Sequence, residues 1–350
     1  STDSSMERSF YVSSSPHIAD RESIPRIMYT VSLSLLPAAG YAVWLFGFRA
    51  LVIMLLSMAA CVATEAVVQK LMKRPVTVSD GSALLTGLLL AFNVSAQVPL
   101  WLPVIGAVFA IAVGKQVFGG LGFNPMNPAL LGRAFLLASW PTHMTVFSGA
   151  PPAGGTVSGI DAVTSATPLN VLKQAREVLA NAPAYPVEKV NEAHEAVGQL
   201  YDSIDKIFLG QIGGCIGETS SLLLILGGLF LLYKRYIGWE IPVSYIGSVA
   251  LLAWIFGGTE GAFTGNILFH IFAGGLMLGA FYMATDMVTS PITSKGRLVF
   301  GLGCGVITMV IRLIGGYPEG VSYSILLMNL VVPVIDRSIR PKVFGGGKKS

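Results

Sequence analysis

The chain has 350 residues, of which 53% are hydrophobic and only 12% charged, with 40 glycines and a formal net charge of +4. A soluble domain carries about 25% charged residues, so this chain lacks the polar surface that water demands and reads as an integral membrane protein. The same arithmetic excludes a secreted disulfide scaffold, a cytosolic enzyme and a nucleic-acid binder held by basic surface. Cys61, Cys215 and Cys304 form no C-x-x-C pair. They read as small apolar packing residues, and no iron–sulfur, zinc or other metal site is expected from them.

Ser1 to Arg26 is a polar arm without the apolar core of a cleavable signal peptide. Apolar stretches of spanning length then cover 27–48, 51–71, 101–118, 209–233, 241–256, 266–283 and 298–315, with shorter ones at 82–94, 127–140 and 322–335. A crossing takes about 20 apolar residues, so the three short stretches read as tilted or discontinuous spans. Together they predict an all-α protein of about ten transmembrane helices. Between Pro141 and Lys206 lies the one long polar insertion, in which 173–180 and 187–205 read as short helices.

With the N-terminus inside, sixteen Lys and Arg fall on the cytoplasmic side and five on the other. The positive-inside rule therefore predicts cytoplasmic N- and C-termini and an insertion on the outer face. The division is a cytoplasmic arm (1–26), a first membrane repeat (27–140), the outer loop insertion (141–207), a second membrane repeat (208–336) and a basic cytoplasmic tail (337–350). Thr86-Gly87 through Pro99 resembles Leu278-Gly279 through Pro291, and Gly119-Gly120 with Leu130-Leu131 resembles Gly315-Gly316 with Leu326-Leu327. Five spans per half is an odd number, so the repeats are expected to be inverted, an arrangement similar to that of urea transporters. Such folds place binding sites near the midplane, where helices break.

Two motifs carry candidate chemistry. In the outer loop, Asp161-Ala162-Val163-Thr164-Ser165-Ala166-Thr167-Pro168-Leu169 offers a hydroxyl flanked by small residues and followed by proline. It suits either a helix cap ahead of Pro168 or a covalent attachment point. The second is Phe118-Gly119-Gly120-Leu121-Gly122-Phe123-Asn124-Pro125-Met126-Asn127-Pro128-Ala129, ending at Arg133. It is a glycine-rich break leading into a short helix whose start presents two side-chain amides, free N–H groups and the positive dipole end. Those groups suit the pteridine edge of a flavin, or the asparagines simply cap the helix. The Asn-Pro-Ala triplet resembles that of aquaporins, but the second half holds no counterpart, which argues against a water pore.

The D-x-x-T-x-A-T-P-L pattern resembles the flavinylation motif of the D subunits of Rnf electron-transport complexes and the related B subunits of sodium-pumping NADH:quinone reductases. Ser165 stands where many members have glycine. The F-G-G-x-G-x-N-x-x-N-P-A run is similar to the same family. Further similarity lies at Ser15-Pro16-His17, Gly217-Glu218-Thr219-Ser220, Asp286 through Pro291, and Gly316 through Tyr323, so it covers nearly the whole chain. The short N-terminal arm is closer to the Rnf type.

The resemblance implies FMN esterified to Thr167, with Asp161, Thr164 and Ser165 forming the attachment motif. It also implies a second, non-covalent riboflavin near Asn124 and Asn127, with Gly120 and Gly122 in the supporting loop. It implies an electron-transfer subunit in a bacterial inner membrane, coupled to Na+ or H+ transport. Its partners would be the membrane-bound A and E subunits, the FMN-bearing G subunit, the iron–sulfur B and C subunits, and a flavin transferase; no nucleic acid is expected. A urea-transporter-like channel is the alternative from another class. Ionisable side chains at membrane depth mark ion paths or buried pairs, so Glu65, Asp80, Glu218 and Asp286 are ion-path candidates. His270 reads as a packed polar residue.

Overall fold

The computed structural model describes residues 22–147 and 167–340, apart from 212, 219, 260 and 318. Among the described residues all regular structure is helical. The first half comprises α1 (Ile24–Phe46), α2 (Phe48–Leu71), α3 (Ser82–Phe92), α4 (Trp101–Ile111), α5 (Pro128–Ser139) and the short α6 (Pro141–Met144). The insertion contributes α7 (Pro168–Ala180), α8 (Val187–Asp202) and α9 (Ile204–Leu209). The second half comprises α10 (Ser221–Tyr233), α11 (Glu240–Phe256), α12 (Ile267–Phe272), α13 (Leu276–Leu278), α14 (Ser294–Ile314) and α15 (Val321–Ser338).

Helices α1, α2, α14 and α15 are each long and apolar enough to cross a membrane, and five shorter apolar helices stand among them. Leu33, Trp44, Phe48, Leu226, Leu251, Leu302 and Val334 point outward from them, more than two-fifths exposed. Apolar side chains facing outward all around a helical bundle are what a lipid solvent selects. The chain is therefore a multi-pass membrane protein.

The structure departs from the predicted spans in three places. The stretch 209–233 is not one helix: α9 ends at Leu209 with Gly210 as its C-cap, and the chain then runs through a 3₁₀ turn at Ile216–Glu218 before α10 starts at Ser221. In that passage Ile216 N bonds to Val94 O at 2.9 Å, because backbone that is not helical inside a bundle must find partners on another element. The stretch 266–283 is broken at Ala273–Gly275, where Gly274 adopts φ +74°. Arg312 restores the broken ladder, donating to His270 O at 2.6 Å and Ala273 O at 3.0 Å. The stretch 322–335 is not short, since α15 runs on past Pro333 to Ser338.

Close helix approach depends on small residues. A Cβ placed on Gly301 would collide with Ser244 Oγ, and one on Gly305 would collide with Ser248 Oγ. The Gly-x-x-x-Gly face of α14 thus receives the Ser-x-x-x-Ser face of α11 backbone to backbone. Beside this pair, Tyr245 OH meets Thr308 Oγ1 at 2.7 Å and Ser324 Oγ at 2.9 Å, joining α11, α14 and α15 by a buried hydroxyl cluster. One apolar core runs through both halves, from Leu35 to Ile335. A smaller one, including Leu169, Leu172, Ala193, Val197, Phe269 and Ala273, fastens α7 and α8 onto α12.

Candidate flavin sites and the buried charges between them

Thr167 is the N-cap of α7, and its Oγ1 accepts from Asn170 N at 3.3 Å. The capping reading of this hydroxyl is met. Capping and attachment are compatible, because an esterified Oγ1 stays in place at the helix start. Pro168 fills the first helical position, where its missing N–H removes one unsatisfied donor. The remaining free N–H groups and the dipole of a 13-residue helix favour a phosphate at this point. Asp161, Thr164 and Ser165 lie outside the described residues, as does Ser15-Pro16-His17. Thr167 is itself buried and followed by Leu169, which packs against the Phe269 and Ala273 end of the broken span. Lys173, one turn further on, donates to Gly315 O.

Asn124 and Asn127 lie at the other end of that broken span. Gly119, Gly120 and Gly122 all have φ between 94° and 128°, a region that disfavours side chains, so the tight turn before Asn124 requires glycine. Neither Gly120 nor Gly122 lines the cleft formed there; they act by shaping the turn. Asn127 caps α5, its Oδ1 accepting from Ala129 N at 3.0 Å and Leu130 N at 3.3 Å. Its Nδ2 donates to Met283 O at 3.3 Å. That carbonyl ends the π-turn Gly279–Met283. Asn124 differs: its Nδ2 donates to Met126 O at 3.1 Å, but its buried Oδ1 has no partner among the described residues.

Asn124 and Asn127 line a cleft together with Lys115, Leu121, Tyr282 and Asp286. Mainly apolar walls with a few placed polar groups are the chemistry of a small-molecule site. The orphaned Asn124 oxygen calls for an N–H donor, which the pyrimidine edge of a flavin supplies. Asp286 lies in the turn after this span. Burial pushes its carboxyl up, partly offset by hydrogen bonds from the Thr289 hydroxyl at 3.0 Å and the Val288 N–H.

Glu65 and Asp80, separate in the sequence, belong to one chain of contacts that runs from half-buried Asp80 to fully buried Glu65. Asp80 Oδ1 accepts from Ser82 N at 2.8 Å and Ser82 Oγ at 2.5 Å. Lys115 Nζ lies 2.5 Å from Ser82 Oγ and 2.5 Å from Glu65 Oε1, and Gln116 Nε2 also reaches that oxygen at 2.7 Å. The positive-inside rule counts Lys115 as a cytoplasmic cation at the end of a span; the structure instead makes it 2% exposed and paired. The π-turn Ala112–Gln116 at the end of α4 presents both Lys115 and Gln116 to α2.

Glu218 stands in a second cluster. Its Oε2 accepts from Cys215 N at 3.4 Å. Nearby, Arg133 on α5 forms an ion pair with Glu319 and also donates to Asn93 Oδ1 and Ser322 Oγ, both at 2.8 Å. Cys215 Sγ and one oxygen from each of Glu218 and Glu319 lie within 4.8 Å of one another, a grouping of metal-ligating type. However, Arg133 takes Glu319 and reaches Cys215 Sγ at 3.9 Å, so arginine already supplies the positive charge there. In the sequence, Glu319 stands out only as part of a family motif. Its signal is an acid beside an apolar helix, with Arg133 and Arg312 as the available intramembrane cations. His270 is buried, as expected of a packed residue, and neither ring nitrogen has a hydrogen-bond partner among the described residues.

A family model described as NQR2, RnfD, RnfE matches residues 11–345. The chain is 50% identical over 336 residues to the D subunit of a proton-translocating ferredoxin:NAD(+) oxidoreductase complex from Clostridium ljungdahlii, covering 96% of each chain. It is 46% identical over 341 residues to the D subunit of an Na(+)-translocating ferredoxin:NAD(+) oxidoreductase complex from Acetobacterium woodii, covering 97% of this chain and 96% of that one. The D subunit of an ion-translocating oxidoreductase complex from Stutzerimonas stutzeri is 42% identical over 343 residues, with 93% of each chain covered.

Proposed function

The chain belongs to the NQR2, RnfD, RnfE family, and from that membership we propose that it is the D subunit of an Rnf-type ion-translocating ferredoxin:NAD+ oxidoreductase. It is a membrane subunit serving electron transport and ion transport. The observation that carries this reading is similarity along almost the full chain to two such D subunits, at 50% and 46% identity. It favours the ferredoxin-linked complex over both the quinone-linked one and a urea-transporter-like channel. Membranes from cells deleted for this chain should lose ferredoxin-dependent NAD+ reduction, and a plasmid-borne copy should restore it. Full activity without the chain would sink the assignment.

The chain itself supplies two places for flavin. Thr167 is the attachment point for covalent FMN: the α7 start offers amide donors and a favourable dipole to the phosphate, and Leu169 anchors the helix below it. The cleft at Asn124 is the second site and takes a non-covalent riboflavin. There Asn124 orients the ring through its free oxygen, while Asn127 holds α5 against the π-turn. A bound flavin exchanges one or two electrons and changes its protonation with redox state. Between the two sites lies the broken α12–α13 span, whose ends they share. With flavins held at both places, the chain would relay electrons between them and leave NAD and ferredoxin to partner subunits.

In the membrane the α7–α9 insertion faces outward and both termini face the cytoplasm, a sidedness supported by the distribution of Lys and Arg. The ten spans are read as two inverted sets of five. The supporting resemblance is that α2 packs with α3 and α4 while α11 packs with α12 and α14, and α5 follows α4 as α15 follows α14. Partner subunits supply the ferredoxin and NAD ends: the membrane-bound A and E subunits, the FMN-bearing G subunit, and the iron–sulfur B and C subunits. A flavin transferase loads Thr167. Glu65 and Asp80, with Glu218 and Asp286 further along, are the candidate stations for the coupled ion.

A further inference from the structure

Lys115 forms part of the cleft wall beside Asn124 and Asn127, although neither flavin site calls for a cation there. Its ammonium carries three hydrogens, of which Glu65 Oε1 and Ser82 Oγ take two at 2.5 Å each. Among the described residues no further acceptor meets it, so one hydrogen is left for a ligand in the cleft. On its other side, Glu65 is fully buried, and its Oε1 is crowded by Lys115, Gln116 and Gln69. Glu65 Oε2 is equally buried and has no partner among the described residues. A pair whose only task was to staple α2 to α4 has no need of a cavity wall or of a π-turn, an irregularity that clusters at functional sites.

We infer that Lys115 is a counter-ion shared between Glu65 and the ligand of the cleft. Negative charge arriving on that ligand draws on the ammonium and loosens its hold on Glu65, which then takes up a second cation, a proton or a sodium ion, at its open oxygen. The physical basis is competition: in a low-dielectric interior a carboxylate that loses its partner is strongly destabilised until another cation replaces it. This inference rests on reading the cleft as the site of a non-covalent flavin, whose reduction places negative charge there. It assigns Lys115 to setting the ligand's charge preference, and Glu65 to sensing the ligand's charge.

The test uses the purified full-length chain produced without a flavin transferase, with riboflavin as the probe. Dissociation constants for oxidised and dithionite-reduced riboflavin are measured anaerobically, and their ratio is compared between variants. Lys115→Met should weaken reduced relative to oxidised binding about tenfold, a potential lower by about 30 mV for a two-electron couple. Glu65→Gln should shift the ratio in the opposite direction, because the ammonium is then free for the cleft. Opposite signs are a result that a merely structural pair would not give. If Lys115→Met leaves Glu65 unpaired and the protein does not fold, the comparison is Lys115→Met in the Glu65→Gln background against Glu65→Gln alone, with the same tenfold loss expected. Ratios within threefold of wild type, or shifts of one sign in both variants, would overturn the inference and leave the flavin site standing. Failure of the wild-type chain to bind riboflavin would overturn the reading of the cleft, and the inference with it.

Discussion

Arg133, near the middle of α5, forms its ion pair with Glu319, which lies 186 residues later in the turn that leads into α15. The two halves of the chain are therefore joined by a largely buried charge pair as well as by apolar packing. Arg133 spreads its remaining hydrogens over Asn93 and Ser322, while Glu319 also accepts from Gly275 N at 3.0 Å, steadying the break between α12 and α13.

Removing one partner of this pair leaves the other charge uncompensated. Arg133→Met should destabilise the protein by about 3–5 kcal/mol, the range for breaking a buried pair, and Glu319→Gln by less because the amide oxygen can still accept from Gly275. Thermal unfolding in detergent, followed by fluorescence-detected size exclusion, checks this. A melting temperature unchanged in both variants would show that the pair contributes nothing to holding the halves together.

Thr167 caps α7, and in the proposed reading it also bears the ester; the two duties are separable. Thr167→Ala should abolish in-gel flavin fluorescence of the denatured protein co-expressed with its transferase, and should also cost about 1 kcal/mol from the lost cap. Thr167→Asp restores a capping oxygen without an esterifiable hydroxyl. It should therefore recover the stability while remaining non-fluorescent. A fluorescent band in either variant would place the covalent flavin elsewhere.

The two asparagines of the cleft should behave differently. Asn124→Ala removes an amide whose oxygen is otherwise unpartnered, so it should lower non-covalent riboflavin several-fold with little change in stability. Asn127→Ala removes a helix cap and the bond to Met283 O, so it should lower stability by about 1 kcal/mol or more and lose flavin as a consequence. Acid-released flavin per mole of protein, read beside the melting temperature, separates the two effects. Equal loss of stability in both variants would contradict the assignment.

The contact between α14 and α11 leaves no room for a methyl group. Gly305→Ala should destabilise by about 1–3 kcal/mol through overpacking against Ser248 Oγ and Tyr245 O. Ser248→Ala in the same chain should recover part of that loss, since the backbone oxygen at 2.9 Å remains. The check is the double-mutant cycle in unfolding temperature, where strict additivity would mean that the two positions do not touch.

Much of this protein is written in its sequence. The all-helical, membrane character of the chain and the approximate ends of long helices such as α1, α2 and α14 follow from hydrophobic run length, because lipid imposes a fixed thickness on every crossing. Local backbone chemistry is equally readable: Thr167 before Pro168 and Asn127 before Pro128 are caps because a short oxygen-bearing side chain ahead of proline satisfies a helix start. Run length does not reveal the breaks at Ala273–Gly275 and before Ser221. An apolar run looks the same whether its hydrogen bonds close within one helix or on Arg312 and Val94. Nor does it pair the charges. Glu65 with Lys115, and Arg133 with Glu319, are separated by 50 and 186 residues, so only the packing of helices decides which cation meets which acid. The few charges that composition first marks as unusual are thus divided by tertiary structure into those left at the surface and those that pair in the interior, as Glu65 does with Lys115.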